Sequence, residues 1–263
     1  MSRSFKLTIA YDGTGFAGWQ VQPGKATIQG ALQDAFLKLT GNRVQVIGSG
    51  RTDAGVHAIA QVASCRLSWR DPAERLVRAL NSQLPDTIAV TDACDAVADF
   101  HAIRDATGKR YRYQLQVGGV RDPFQYSFRW HLHGTIDRNA IRAAAQRIVG
   151  RHDFQSFQAS GSDRKTTVRN VVACDLIEQS TGVGEASHLA IEVEADGFLY
   201  NMVRNIVGTL IEVGRGKQTP NWIDDVLAAC NRDVAGPTAP AHGLFLTRVD
   251  YPDACTADGE TVV

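Results

Sequence analysis

Between Gly48 and Ala58 the chain reads Gly-Ser-Gly-Arg-Thr-Asp-Ala-Gly-Val-His-Ala, which places one carboxylate, Asp53, in a glycine-dense loop with apolar flanks. Three glycines, Gly48, Gly50 and Gly55, let the backbone reach positive φ and come close to a ligand. Arg51, two positions from Asp53, is a cation able to hold that carboxylate ionised. A carboxylate presented in this way can work as a general base or as a nucleophile. No G-x-x-x-x-G-K-[ST] phosphate loop and no Ser-His-Asp set with a nucleophile elbow accompanies it.

A second group lies in Lys109-Arg110-Tyr111-Arg112-Tyr113-Gln114-Leu115-Gln116-Val117. Its alternation puts Tyr111, Tyr113, Leu115 and Val117 on one face and Arg110, Arg112, Gln114 and Gln116 on the other. Two readings stand on the residues alone. In one the tyrosines are core. In the other, the cations Arg104, Lys109, Arg110 and Arg112, set against Asp105 alone, supply phosphate contacts while the aromatics stack on bases. Further on, Tyr200 to Gly208 fits a helix with Val203, Ile206, Val207 and Leu210 buried, which leaves Asn201, Arg204, Asn205, Gly208 and Glu212 on another face. His152 and Asp153 read as structural, the aspartate as a cap. Gly13, Gly15 and Gly18 match G-x-G-x-x-G, but Trp19-Gln20-Val21-Gln22-Pro23-Gly24 intervenes before a helix start near Thr27, so the dinucleotide-binding context is missing and a nucleotide-cofactor oxidoreductase ranks last.

The elements that must carry these groups follow from periodicity. A strand at 5–11 leads to a helix capped by Thr27, with Ile28, Leu32, Ala35, Phe36 and Leu39 on one face. Strands are expected at 44–47 and 59–67. Asp71-Pro72-Ala73-Glu74 reads as a capping box opening a helix, and a strand at 88–93 follows. The order β-α-β-β-α-β is the split β-α-β, ferredoxin-like pattern. A strand at 109–117, a helix capped by Asp137, strands at 168–177 and 188–195, and a last strand at 244–249 repeat the scheme. The expected class is therefore α+β, with two ferredoxin-like, RRM-like halves whose antiparallel sheets flank a central catalytic cleft. Residues 1–103 form the first half, 104–251 the second, and 252–263 a disordered tail. The connection 118–135, with Arg121, Phe124, Tyr126, Phe128, Arg129 and Trp130, is rich in groups suited to a substrate or a second subunit.

With 263 residues and 44% hydrophobic content the chain can bury a full core. Lys plus Arg number 28, as do Asp plus Glu, so net charge announces no partner. The five cysteines lie far apart, without C-x-x-C pairs or zinc-ligand spacing, which predicts neither a metal site nor a disulfide framework. No apolar run approaches a membrane span, and the reading is a cytoplasmic protein without a membrane partner.

Gly50-Arg51-Thr52-Asp53-Ala54-Gly55-Val56-His57 resembles the catalytic motif of the TruA family of tRNA pseudouridine synthases. Tyr11-Asp12-Gly13 with Gly18-Trp19-Gln20, Asn81 with Leu84-Pro85, Phe100-His101-Ala102, Lys109 to Tyr113, Asp153-Phe154 with Ser156-Phe157, and Met202 to Gly208 are similar to the family in the same order. The resemblance implies that Asp53 is the catalytic aspartate, that Tyr111 packs on the target base, and that Arg51 and Arg204 surround the carboxylate. It implies RNA contact by Arg104, Lys109, Arg110 and Arg112, a homodimer, and action on uridines 38, 39 and 40 of the tRNA anticodon stem-loop without a cofactor. The segments 118–135 and 162–166 match only loosely. The alternative is a non-catalytic RNA-binding module, which would use the basic strand and leave Asp53 idle.

Overall fold

The computed structural model describes residues 2–159, 161, 166–181 and 186–255. Two compact units emerge, one from the N-terminus to Thr107 together with the segment from Leu246 onward, the other from Gly108 to Phe245.

In the first unit β1 (Ser2–Tyr11) buries every second side chain, Phe5, Leu7, Ile9 and Tyr11. It pairs antiparallel with β3 (His57–Ser68) on one side and β4 (Ile88–Ala96) on the other. The short β2 (Val46–Gly48) also runs antiparallel to β3. Helix α1 (Ile28–Thr40) starts where the Thr27 hydroxyl accepts the Gly30 N–H at 3.3 Å and stops at Gly41, whose φ of 72° is left-handed. Its buried stripe is Ile28, Leu32, Ala35 and Phe36, and Leu39 remains half-buried. Helix α2 (Ala73–Asn81) corrects the expected capping box, for no side chain caps it. Asp71 is instead drawn to Arg75 at 2.7 Å, one turn along, because an ion pair competes with the cap for the same carboxylate.

The second unit opens with β5 (Gly108–Val117), followed by β6 (Trp130–Leu132), α3 (Arg138–Gln146), β7 (Gly150–Asp153), β8 (Val168–Thr181) and β9 (Ser187–Ala195). Two helices, α4 (Met202–Gly214) and α5 (Trp222–Ala229), precede β10 (Leu244–Asp250). The sheet order is β5-β9-β8-β7, antiparallel throughout, with β6 parallel to β5. Asp137 caps α3 as its position predicts, accepting the Ala140 N–H at 2.9 Å.

Three expectations change here. The division falls after Thr107 instead of residue 103, and the last strand returns to the first unit. There β10 lies beside β3, the Thr107 N–H reaches Asp250 O at 2.9 Å, and the Tyr251 hydroxyl donates to Ala102 O at 2.7 Å. Of the segment expected to be a disordered tail, Asp253–Cys255 forms a 3-10 turn, and Cys255 packs with Val62, Phe100 and Ala102. Residues 256–263 lie outside the described residues, as does 162–165 of the loosely matching stretch. Helix α4, expected to show a polar face, is buried almost all round. Of its 13 residues only Arg204 and Glu212 are partly exposed. Asn205 is enclosed, donating to Phe157 O at 2.8 Å, and Gly208 is pressed against the segment from Gly236 to Pro240.

No helix among the described residues is long and apolar enough to cross a membrane. The five cysteines are free thiols, and burial pushes Cys65 and Cys174 each up to about 12.

A Cβ on Gly208 would stand 1.7 Å from Pro237 O, whereas nothing lies within 4 Å of one on Gly15. Gly208→Ala is expected to lower stability by about 2 kcal/mol through forced displacement of that carbonyl, and Gly15→Ala to stay within about 0.5 kcal/mol. Urea unfolding of the two variants beside the parent checks the contrast.

Candidate active site

The loop that carries Asp53 is held from behind by two glycines of the neighbouring 12–19 loop. A Cβ on Gly13 would fall 2.0 Å from Val56 O, and one on Gly18 would fall 2.6 Å from Thr52 O. Gly18 also has φ of 96°, a region glycine alone enters freely. Thus Gly13 and Gly18 permit two backbones to touch, a use that the G-x-G-x-x-G pattern did not suggest. The contact is sealed by the Trp19 N–H donating to Thr52 O at 3.0 Å. The Trp19 ring lies where a side chain on Gly48 would be, 2.4 Å from that absent Cβ.

Side chains complete the clamp. Tyr11 Oη and Thr52 Oγ1 share a buried hydrogen bond of 2.8 Å. Gln61, fully buried on β3, accepts from Ser49 Oγ at 2.7 Å and donates to Gly50 O at 3.0 Å. Burial pushes the Tyr11 phenol up to about 12, offset only in part by its bonds to Thr52 and Gln61, so the bond to Thr52 does not titrate in the neutral range. The Val56 N–H closes a turn onto Asp53 O at 3.1 Å, and Gly55 takes φ of 76°. His57 is completely buried, and its Nδ1 accepts the Gly13 N–H at 3.0 Å. Asp12 Oδ1 lies 3.1 Å from the same nitrogen, but a nitrogen that accepts from Gly13 cannot also donate to Asp12. Asp12 is occupied instead by Thr14, through its N–H at 2.9 Å and its hydroxyl at 2.6 Å.

The result is a loop with Thr52 turned inward, Asp53 half-buried and Arg51 exposed. Among the described residues Arg51 forms no hydrogen bond or ion pair. The expectation that it holds Asp53 is therefore corrected. The chain reverses at Thr52, which Tyr11 draws into the core, and the arginine is left on the surface.

In the second unit, Tyr111 and Tyr113 share the buried face of β5 as the alternation predicts, at 8% and 0% exposure. Tyr111 stands edge-on to Phe198, ring centroids 5.0 Å apart at 84°. Tyr113 donates its hydroxyl to Pro240 O at 2.7 Å. Gln116, expected on the polar face, is instead buried, because its amide binds Val120 O at 2.7 Å and the Asp122 N–H at 3.1 Å in the following connection. Arg204 occupies the first turn of α4, Nε donating to Ala239 O at 2.8 Å and Nη1 to Asn201 Oδ1 at 2.8 Å. Asn201 takes a left-handed φ of 59° just ahead of the helix.

The basic residues are not bare. Arg110 and Arg112 face Glu194 and Glu192 directly across β5 and β9, with closest approaches of 2.5 Å each. In the first unit Arg104 grips Asp105 at 2.7 Å, a bond that raises the guanidinium and lowers the carboxyl from their ordinary values. Two of the four cations read from 104–112, Arg110 and Arg112, are therefore compensated by carboxylates distant in sequence. Asp153 accepts the Gln155 N–H at 3.0 Å and His152 Nε2 lies 3.1 Å from Val149 O, both structural arrangements. Among the described residues no group of three or more His, Cys, Asp or Glu is placed to hold a metal.

Comparison with known proteins gives the site a context. A family model described as tRNA pseudouridine synthase matches residues 7–103 and 144–252. The chain is 45% identical over 249 residues to a protein named tRNA pseudouridine synthase A from Pelobacter propionicus, covering 95% of this chain and 100% of that one. It is likewise 45% identical to the protein of that name from Moorella thermoacetica, over 94% and 98% of the two chains. Against the one from Limosilactobacillus fermentum the identity is 41%, over 97% and 99%.

The clamp behind Asp53 predicts its own weak point. Gln61→Leu strips buried partners from Ser49 Oγ and Gly50 O, and stability is expected to fall by about 2 kcal/mol. Amide exchange across residues 50–56 should quicken at the same time. An unchanged unfolding midpoint with unchanged exchange would mean that the loop is held by something else.

Proposed function

This chain belongs to the tRNA pseudouridine synthase family and is an isomerase of tRNA uridine, and from that premise we propose how and where it acts. The target positions are 38, 39 and 40 of the anticodon stem-loop, and the reacting group is the Asp53 carboxylate. The observation that carries this reading is the clamped loop, in which Gly50, Thr52 and the turn from Asp53 O to Val56 are fixed while Asp53 stays half-buried. Such fixation is what a reaction sensitive to placement needs.

Uridine becomes pseudouridine when the bond from ribose to N1 breaks, the base turns, and C5 joins C1′ while its proton leaves. No atom is gained and no electron is transferred, so the chemistry needs no cofactor. A carboxylate serves it by attacking C1′ or by removing the C2′ proton, and both routes require the ionised form. The uridine must first leave its stack, which costs a few kcal/mol. Tyr111 meets the extruded base as a fixed aromatic wall, contributing about 1 to 3 kcal/mol, and its hydroxyl assists removal of the C5 proton after rejoining by relaying it to water. Arg204, whose guanidinium is aimed by Ala239 and Asn201, is the cation that favours the ionised carboxylate, and Arg51 contacts the substrate from the loop's exposed side.

Arg104, Lys109, Arg110 and Arg112 are proposed to meet phosphates. A guanidinium has five N–H donors, so one that holds a glutamate still has donors to give. Both halves are proposed to be ferredoxin-like, on the support of the β-α-β-β-α-β order and of the matching arrangements β1-β3-β2 and β5-β9-β8. The family resemblance further supports a homodimer working in the cytoplasm.

Asp53→Asn is expected to bind unmodified tRNA as the parent does and to release no tritium from C5-labelled uridine; near-parental release would remove Asp53 from the chemistry. Tyr111→Phe is expected to lower kcat by about 10²-fold at unchanged KM, the scale of one general-base contribution. A parental kcat would leave the ring with packing alone.

A further inference from the structure

The second unit carries an open depression of about 240 Å³ lined by Gln155, Gln158, Ala159, Gly161, Cys230, Asn231 and Arg232, with Gln155 and Asn231 exposed at its rim. Its two walls are joined where the Asn231 N–H donates to the buried Ser156 Oγ at 2.9 Å. The chain turns into the depression at Cys230, which ends α5 with a left-handed φ of 46°. Arg232 is fixed there by Asn205 Oδ1 and Thr238 Oγ1, each 3.1 Å from its Nη2. Asn205 adjoins Arg204 on α4, so the helix that aims one arginine at Ala239 also aims a second into this depression.

The chemistry of the lining is one-sided. Among the described residues it holds one cation, three primary amides and no carboxylate. The side chains of Gln155 and Gln158 have no hydrogen-bond partner among the described residues, so their donors and acceptors are unspent. An amide offers both kinds of group and can read the edge of a base, while a guanidinium suits a phosphate. The volume falls short of the 300 Å³ or so at which sites for drug-sized ligands begin, and it suits one nucleotide far better than a duplex. Unpaired nucleotides are the part of an RNA whose edges are open to such reading.

We propose that this depression is a subsite for one unpaired nucleotide of the substrate RNA, distinct from the uridine that is isomerised. Arg232 takes its phosphate, and Gln155, Gln158 and Asn231 take the edge of its base. This assignment rests on the reading of the chain as a tRNA isomerase. It adds a contact that fixes which loop sequences are bound well, separate from the chemistry at Asp53.

The test uses the full chain and a tRNA substrate with the double variant Gln155→Leu/Gln158→Leu, which should fold because neither side chain bonds to the described protein. Loss of two hydrogen bonds to the nucleotide is expected to raise KM about tenfold at unchanged kcat. Loop nucleotides are then replaced one at a time by abasic residues. One such replacement should raise KM for the parent and have no further effect on the double variant. An unaltered KM in the double variant, or abasic effects equal in both proteins, would overturn the subsite. Binding of uridine monophosphate that the double substitution abolishes, with tRNA KM unaffected, would also overturn it in favour of a small-molecule site. Failure of the parent itself to form pseudouridine would instead strike the functional reading beneath it.

Discussion

The constraint on which the first unit depends is the contact of two backbones, the loop at 12–19 and the loop at 48–57, at a separation that only glycine permits. Gly13 and Gly18 have no room for a Cβ, and Trp19 fills the space over Gly48. Once the loops touch, their peptide groups leave water and must find partners inside, because an unpaired buried donor or acceptor costs about 1 to 3 kcal/mol. Gln61 donates to Gly50 O and His57 accepts from the Gly13 N–H, while Tyr11 with Thr52 and Ser49 with Gln61 pair their side chains beside them. Each bond in such a network depends on the others, and a fully satisfied one leaves the backbone a single conformation. Asp53, whose main-chain carbonyl accepts the Val56 N–H within that loop, inherits the rigidity.

The second unit solves a similar problem with a helix. Because α4 is enclosed on nearly every side, most of the polar groups it carries organise their surroundings. Arg204 fixes the carbonyl of Ala239, Asn205 fixes Arg232 and Phe157 O, and Thr209 Oγ1 receives the Gly236 N–H at 3.0 Å. The segment from Gly236 to Pro240 is thereby pinned to the helix, and Tyr113 reaches it from β5 through Pro240 O. The cross-strand pairs of Arg110 with Glu194 and Arg112 with Glu192 leave a sheet surface that is charged but nearly balanced. Such a surface offers directional hydrogen bonds to a polyanion with less long-range pull than bare arginines would exert.

What was legible in the sequence was local. The Thr27 and Asp137 caps each lie three residues from the N–H they bind, and the alternation of Tyr111, Tyr113 and Leu115 is a property of one strand. Asp53 stood out because a carboxylate amid glycines is unusual within a short window. What escaped was set by side-chain partners, near or far, that neither periodicity nor a cap pattern reports. Asp71 left its cap for Arg75, Gln116 turned inward for the connection that follows β5, and the arginines of β5 met glutamates some eighty residues away. The Gly13 to Gly18 spacing carried a signal, yet its meaning lay in Thr52 and Val56, which no local pattern links to it. Gln61 was the nearest to visible, a lone amide in the apolar run of β3, and a polar residue in that setting calls for a buried partner. The return of β10 to the first unit likewise depends on pairing with β3, a contact that periodicity cannot report.

The central claim is that the clamped loop sets the position of one carboxylate, and the single-turnover rate of Asp53→Glu on unmodified tRNA tests it most directly. That variant keeps the charge and moves it by one methylene. The account predicts a rate lower by about 10²-fold, the cost of a displacement near 1 Å, with tRNA affinity unchanged. A rate within a few-fold of the parent would contradict it, since a glutamate would then serve as well and the rigid frame behind Asp53 would have no part in the reaction.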